Sequence, residues 1–166
     1  MTVIADTSAV YYAVLIDAGE AILRLYGRLT VPLAVYAEMT APGAPQILRD
    51  WLGQNVSRID VWPVTVEEDL RLHLLDPGER EAIALAEQRP ESLLIVDDRQ
   101  ARNEARRRGI AITGLLGVIR DAALRGMLDF ETALQKLRAT DFRLSPQVEA
   151  MARDQFRRLR NTATAE

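Results

Sequence analysis

Short apolar segments that end in acidic residues are the feature that most constrains this chain. The segment Met1–Ala5 meets Asp6, and the segment Leu93–Val96 meets Asp97 and Asp98. A buried parallel strand that ends in a carboxylate places it beside the crevice at the carboxyl edge of the sheet, where open α/β sheets bind ligands. The two segments therefore predict a parallel sheet with an acidic edge.

Apolar strand patterns alternate with helical patterns along most of the chain. Such alternation is typical of βαβ units and predicts an α/β fold with a parallel sheet. Helices are expected between the strands, among them Gln46–Gln54, Glu79–Gln88 and Arg99–Arg108. Strands are expected at Val3–Ala5, Leu29–Val31, Ile59–Val64, Leu93–Val96 and Ile110–Ile112.

The length of 166 residues predicts one main domain. We expect the α/β domain to occupy residues 1–126, and a C-terminal helical extension over residues 127–160 to pack on it. Residues 161–166 are expected to form a frayed tail.

The composition excludes several kinds of site. The chain has no Cys and a single His, so disulfides, thiolate nucleophiles, Cys-ligated metals and His-cluster zinc sites are ruled out. It shows no signal-peptide pattern, and its apolar runs are far shorter than the roughly 18 residues of a membrane span. We therefore expect a cytoplasmic protein with no membrane partner.

Charge is unevenly distributed along the chain. Residues 1–98 hold 16 acidic and 7 basic side chains, whereas residues 99–166 hold 8 acidic and 14 basic ones. An acidic site beside a basic flank suits an enzyme that holds a metal ion and steers a polyanion. The alternative is that solvated helix faces differ in charge by chance.

Two further acids join those at the strand ends. Glu38 lies in the apolar helical turn VYAEMT, and Glu79 follows the turn Asp76-Pro77-Gly78. Carboxylates that converge at one crevice repel one another unless a cation lies among them. The hard divalent cation that prefers oxygen ligands and keeps several of its waters is Mg²⁺, or Mn²⁺ in its place. These acids predict a metal-dependent site for phosphoryl transfer or phosphodiester cleavage.

Each acid also has an ordinary structural explanation. Asp6 could cap a helix, but Thr7 and Ser8 are themselves good capping residues, which favours a role for Asp6 in the site. Of the adjacent pair Asp97 and Asp98, one would suffice as a cap, so at least one is expected to be functional. The spacing leaves open which of the two faces the metal.

The two remaining acids have competing explanations as well. Glu38 could face solvent between core residues, and Glu79 could simply complement the dipole of a first helical turn. Glu81 competes with Glu79 for any role. Arg99, Arg102 and Arg106 share a helix face and are expected to contact phosphates of a polyanion, although cations near a helix C-terminus are also favoured by its dipole.

Four segments and the chain's ending resemble one family in the same order. They are VIADTSAV, VPLAVYAEM, LDPGEREAIALA and LLIVDDRQARNEARRRGIAITG, followed by GMLDFETALQKLRATDFRLSPQVEAM. Together they resemble the PIN-domain proteins, in a prokaryotic branch related to VapC-type toxins. The resemblance covers nearly the whole chain and implies a three-layer α/β/α sandwich around a parallel sheet, with the C-terminal helices of that branch.

The resemblance also implies a ribonuclease site with Mg²⁺ or Mn²⁺ as cofactor. Its four acids correspond to Asp6, Glu38, Glu79 and one of Asp97 and Asp98. Many PIN domains have Asp at the third position, and many have Ser or Thr before the fourth acid, where this chain has Val or Asp. Asp6 and one of the paired aspartates would be direct metal ligands. The expected partners are RNA, a cognate antitoxin protein and a second copy of the chain.

Three other interpretations compete with a ribonuclease. A haloacid-dehalogenase-type phosphatase needs Asp-x-Asp after its first strand, where this chain has Asp6-Thr7-Ser8. A receiver domain needs an early acid pair and a late phosphate-binding Lys, whereas here the acid pair is late and the only Lys is Lys136. A catalytically inactive PIN-like module that binds RNA or protein is consistent with every residue pattern.

Overall fold

Five short parallel strands form the centre of the fold. The structure is a computed structural model, and it describes residues 1–163. The strand order in the sheet is β3-β2-β1-β4-β5, and every neighbouring pair is parallel. The strands are β1 (Val3–Ala5), β2 (Leu29–Pro32), β3 (Ile59–Trp62), β4 (Leu93–Ile95) and β5 (Ala111–Thr113).

Helices cover both faces of this sheet. The predicted α/β class and the three-layer sandwich are confirmed. The helices are α1 (Thr7–Leu15), α2 (Gly19–Tyr26), α3 (Leu33–Thr40), α4 (Gln46–Gln54), α5 (Pro77–Glu87), α6 (Arg99–Arg107), α7 (Leu115–Leu124), α8 (Phe130–Arg138) and α9 (Pro146–Ala163).

The pleat of the sheet divides the core into two parts. In β1, Val3 and Ala5 face one cluster, while Ile4 between them faces the other. The first and larger cluster takes residues from α1–α4 and α7–α9, and the second takes residues from α5 and α6. Because successive strand residues point to opposite faces, short uniformly apolar strands are what a sheet covered on both sides requires.

The strand order reverses in the middle of the sheet. Strand β1 pairs with β2 on one side and with β4 on the other, with Ala5 opposite Ile95. Since all strands run in the same direction, the residues that follow β1 and β4 lie at one edge of the sheet. This is the switch point where ligands bind in open α/β folds.

The last two helices contribute to the larger core cluster. Phe130, Leu134 and Leu137 of α8 are buried there, and the Phe130 ring stacks on Phe156 of α9 at 4.3 Å between centroids. The tail expected over residues 161–166 is helical as far as Ala163, and the rest of it lies outside the described residues. No helix in residues 1–163 is both long and apolar enough to cross a membrane.

Several element boundaries differ from expectation, most of them by one residue and two of them by two residues. Strand β3 ends at Trp62 rather than Val64, because Pro63 cannot donate to a strand ladder. Helix α5 begins at Pro77, two residues before the predicted Glu79. Pro is favoured in a first helical turn, where its missing N–H costs nothing.

Candidate active site

Asp6 is buried at the junction of β1 and α1. It is 4% exposed, and its backbone N–H donates to the carbonyl of Ile95 in β4 at 3.1 Å. Its Oδ2 accepts hydrogen bonds from the backbone N–H of Ser8 at 3.3 Å and from the Ser8 hydroxyl at 2.8 Å. Asp6 is therefore itself the N-cap of α1. Thr7 and Ser8 were expected to cap α1 in place of Asp6. That expectation is wrong, because both residues lie inside the helix.

Burial makes Asp6 hard to ionise. The pKa of its carboxyl is raised to about 6, first by burial and further by the negative charge of Asp76, while the bonds from Ser8 oppose the rise. Near neutral pH, the negative charge at Asp6 therefore lowers the stability of the folded protein.

Glu38 is held between α1 and the start of α5. Thr7 Oγ1 donates a hydrogen bond to Glu38 Oε2. A Cβ atom on Gly78 would lie 2.8 Å from Glu38 Oε1 and 2.9 Å from Oε2, so the glutamate carboxylate occupies the space that a side chain at Gly78 would need. Only glycine at that position lets Glu38 lie so close to the first turn of α5.

Glu79 is oriented by a capping box. Asp76 Oδ1 accepts from the backbone N–H of Glu79 at 2.8 Å, and Glu79 Oε2 accepts from the backbone N–H of Asp76 at 3.3 Å. This reciprocal pair satisfies two donors at the helix start. It also fixes the Glu79 carboxylate beside that of Asp76.

Glu79 is surrounded by other carboxylates. Its pKa is raised to about 7, first by burial and then by the negative charges of Asp76, Asp98 and Asp6. Glu81, its competitor in the sequence, has a different task, because its Oε2 accepts from the backbone N–H of Ala34 at 2.8 Å. That bond caps the N-terminus of α3 and leaves Glu79 as the acid of this segment that faces the others.

One cleft with a volume of about 370 Å³ brings these acids together. Three predicted site residues, Asp6, Glu38 and Glu79, line it, and Asp76 lines it as well. The remaining lining residues are Thr7, Ser8, Tyr11, Tyr12, Ala44, Pro45 and Leu48.

Asp76 is the acid that the sequence analysis missed. Its signal is present in the sequence as the pattern Asp-x-x-Glu before an apolar helical run, which is typical of a capping box. Read as a capping box, the pattern places Asp76 beside Glu79 and so beside the other acids.

Asp97 and Asp98 are not among the residues that line the cleft. Both oxygens of Asp97 lie 3.1 Å from the backbone N of Leu115 at the start of α7, and Gly114 leaves the space for this contact. Asp98 caps α6, its Oδ1 accepting from the backbone N–H groups of Gln100 and Ala101 at 2.7 and 3.0 Å. One residue of the pair was expected to suffice for capping. That expectation is wrong, since Asp97 caps α7 and Asp98 caps α6.

Asp98 is nevertheless close to the acidic group. Both of its capping bonds use Oδ1, and its charge contributes to the raised pKa of Glu79. The pKa of Asp97 is also raised, first by its burial, with the Leu115 N–H and Arg102 opposing the rise. Of the two, Asp98 is therefore the one that is coupled electrostatically to the cleft.

The three predicted RNA-binding arginines occupy different settings on α6. Arg102 is half-buried and donates from Nη1 to the carbonyl of Val96 at 2.8 Å, and burial lowers its pKa. Arg99 and Arg106 are exposed. Glu104 on the same helix pairs with Arg107 and Arg108 and not with these three arginines.

The donor set fits a hard divalent cation. Within residues 1–163, no three acidic or histidine side chains lie close enough to hold an ion directly. Yet the cleft lining contains no Lys or Arg, and none of its four carboxylates forms an ion pair with a described residue. Uncompensated carboxylates with room for water suit Mg²⁺, which keeps several of its waters.

Comparison with known families agrees with this geometry. A family model described as a PIN domain matches residues 2–158, nearly the whole chain. This protein is a member of the PIN-domain family. PIN domains are generally nucleases that use divalent metal ions. Searches of curated proteins and of solved structures returned no match to the chain.

Proposed function

We propose that this PIN domain is a Mg²⁺- or Mn²⁺-dependent ribonuclease that hydrolyses RNA phosphodiester bonds in the acidic cleft. The observation that carries the proposal is the set of four carboxylates, Asp6, Glu38, Asp76 and Glu79, gathered in one cleft without a basic partner. Such an arrangement is costly for a protein that binds nothing there. Active sites are where such costs are found.

The four cleft carboxylates would hold the ion in part through its bound waters, and the charge of Asp98 would add to its attraction. When bound, a divalent ion would lower the pKa of the water that it coordinates and would neutralise charge on the phosphate. Ser8 and Thr7 keep the carboxylates of Asp6 and Glu38 in place through their hydroxyl bonds. Asp97 is proposed to act less directly, by fixing the start of α7 behind the site.

The chemistry needs no protein nucleophile, which agrees with a cleft lining that has neither Cys nor His. The phosphate backbone of RNA would be drawn to this acidic cleft by the bound ion and by exposed basic side chains outside it, including Arg99 and Arg106. A toxin role is a finer form of the same proposal. It adds a cognate antitoxin as partner and a homodimer as the assembly.

A catalytically inactive PIN-like module is the second candidate. It is favoured by the absence, within residues 1–163, of three acids in direct ligating geometry and by the bond that occupies Glu38. In such a module the cleft would bind RNA or protein without cleaving it.

The deciding experiment measures cleavage of labelled RNA by the purified protein with Mg²⁺ or Mn²⁺. We expect cleavage that EDTA abolishes and that Asp6→Asn reduces by about 100-fold, because that substitution removes one charge and keeps the shape of the site. RNA binding without metal-dependent cleavage would favour the inactive module. Cleavage that survives both EDTA and Asp6→Asn would place the activity outside this cleft.

A further inference from the structure

The acidic cleft also has an aromatic and apolar part. Tyr11, Tyr12, Ala44, Pro45 and Leu48 line it together with the carboxylates. A site that bound only a metal ion and a phosphate would have no use for this surface. Its volume of about 370 Å³ lies within the roughly 300–1,000 Å³ range of small-ligand sites.

Tyr11 is placed next to the acids by the helix that carries them. Asp6 caps α1, and Thr7, which binds Glu38, is the first residue of that helix. Tyr11 follows Thr7 by four residues, and side chains with that spacing are neighbours on one helix face. The ring is half-exposed, and its hydroxyl makes no hydrogen bond with residues 1–163.

Tyr12 differs from Tyr11 because its position is fixed. Its hydroxyl donates to Asp141 Oδ1 at 2.9 Å, and its ring meets Phe142 edge-on at 5.0 Å. The Tyr11 ring lies 5.1 Å from the Tyr12 ring, tilted by 53°. Both rings line the cleft and are partly buried against the core, but Tyr12 is held by Asp141 and Phe142, whereas the Tyr11 hydroxyl has no such bond among residues 1–163.

We propose that Tyr11 is a stacking platform for one unpaired base of the RNA, next to the phosphate at which the chain is cut. This inference rests on the proposed ribonuclease function and names the substrate feature that the site selects. Aromatic side chains beside a polyanion site are how proteins hold single-stranded nucleic acid, because every base presents a π-face. A base within a duplex is already stacked and could not reach the ring.

The test measures RNA affinity by fluorescence anisotropy in the Asp6→Asn background, with Mg²⁺ and a short labelled single-stranded RNA. Tyr11→Leu is expected to weaken binding about tenfold, in line with the loss of one stacked base. Tyr11→Phe keeps the ring and is expected to recover most of the affinity. In a control protein that carries Tyr11→Leu as its only substitution, Mg²⁺ should raise the melting temperature as it does in the wild-type protein.

An RNA series with a single abasic nucleotide gives a second readout. When the abasic position coincides with the stacked base, wild-type Tyr11 and Tyr11→Leu should bind the RNA with equal affinity. If Tyr11→Leu binds every RNA as tightly as its parent, the stacking proposal is overturned while the ribonuclease proposal stands. If the wild-type protein neither binds nor cleaves RNA with Mg²⁺ or Mn²⁺, both fail together.

Discussion

At the scale of single residues, Asp76 is the acid whose two roles are easiest to separate. It caps α5 through Oδ1, and its charge raises the pKa of both Asp6 and Glu79. Capping needs only an acceptor oxygen, which Asn supplies about as well as Asp. The electrostatic role needs the charge, which Asn lacks.

Asp76→Asn should therefore weaken metal binding while leaving α5 intact. We expect the melting temperature without metal to be unchanged or higher, because one repelling charge is gone, and the rise caused by Mg²⁺ or Mn²⁺ to shrink. Calorimetric titration with Mn²⁺ checks the affinity directly.

Asp76→Ala is the matched comparison for this prediction. It removes the cap as well as the charge and should cost about 1 kcal/mol relative to Asp76→Asn. Equal metal affinity in Asp76→Asn and the wild-type protein would assign Asp76 to capping alone.

At the scale of elements, the first turn of α5 determines where Glu38 can lie. The turn approaches Glu38 so closely that a methyl group on Gly78 would overlap both carboxylate oxygens. The glutamate carboxylate is the movable end of a side chain, whereas the helix backbone is not. A larger residue at position 78 should therefore displace Glu38 and spare the helix.

Gly78→Ala is expected to keep the fold and lose function. Ala favours a helix over Gly by up to about 1 kcal/mol, so the melting temperature should change little. Metal-dependent cleavage and the metal-induced rise in melting temperature should both fall, since Glu38 is pushed from its place.

Gly53→Ala in α4 is a suitable control, because a Cβ atom there meets nothing within 4 Å. It should keep full activity and gain a little stability. A Gly78→Ala protein as active as Gly53→Ala would show that the position of Glu38 is not critical.

Helix α6 combines exposed and structural arginines. Replacing Arg99 and Arg106 by Gln should weaken RNA binding, with a loss of salt-dependence slope of about 0.7 for each phosphate contact removed from a single strand. Thermal stability should be kept, since both side chains are exposed.

Arg102→Gln should behave in the opposite way to the Arg99 and Arg106 pair. It removes the bond to the Val96 carbonyl, and a lower melting temperature is the expected result. An unchanged salt slope in the Arg99→Gln, Arg106→Gln protein would show that these two arginines do not contact the RNA backbone. The basic residues of α9 would then be the candidates, and the substitutions Arg157→Gln and Arg158→Gln would test them.

At the scale of the whole molecule, the acidic cleft lowers the stability of the metal-free protein near neutral pH. A carboxyl whose pKa is raised on folding binds its proton more tightly in the folded state. Above the folded-state pKa its charge lowers the free energy of unfolding by the full amount. This cost disappears as the pH falls from the folded-state pKa to the ordinary value of the unfolded chain. For Asp6 and Glu79 this window lies between about pH 7 and the ordinary values near 4. The cost from Asp6 is on the order of 2–3 kcal/mol.

The metal-free protein should therefore gain stability from these two groups as the pH falls from 8 to 5. Millimolar Mg²⁺ or Mn²⁺ should raise the melting temperature at pH 8 and have little effect at pH 5, because the ion competes with protons for the same oxygens. Melting curves with and without metal across this range provide the measurement.

Asp6→Asn is the control for the pH dependence. It should be more stable than the wild-type protein at pH 8 without metal, by about 4–12 °C, because each kcal/mol is worth about 2–4 °C in a chain of this size. The double variant Asp6→Asn, Asp98→Asn should show no metal-induced rise. A wild-type protein indifferent to millimolar metal at pH 8 would support the inactive module.

The sequence by itself determined the sheet, its parallel direction and the ends at which the acids lie. Apolar strands followed by carboxylates, separated by helical patterns, have few other ways to bury their surfaces. It could not determine where each carboxylate points. Asp97 turns toward α7 and Asp98 toward α6, because the free N–H groups of helix starts compete for nearby oxygens.

Only the tertiary structure brought three of the predicted acids into one cleft, left the other two outside its lining and added further residues to it. It brings Glu38 of α3, and Asp76 and Glu79 at the start of α5, close to Asp6 at the start of α1 and Tyr11 within it, although these three segments lie far apart in the chain. Their proximity depends on how the helices pack at the sheet edge and on the lack of a side chain at Gly78. Spacing along a sequence carries no record of such contacts, since packing of whole elements sets them.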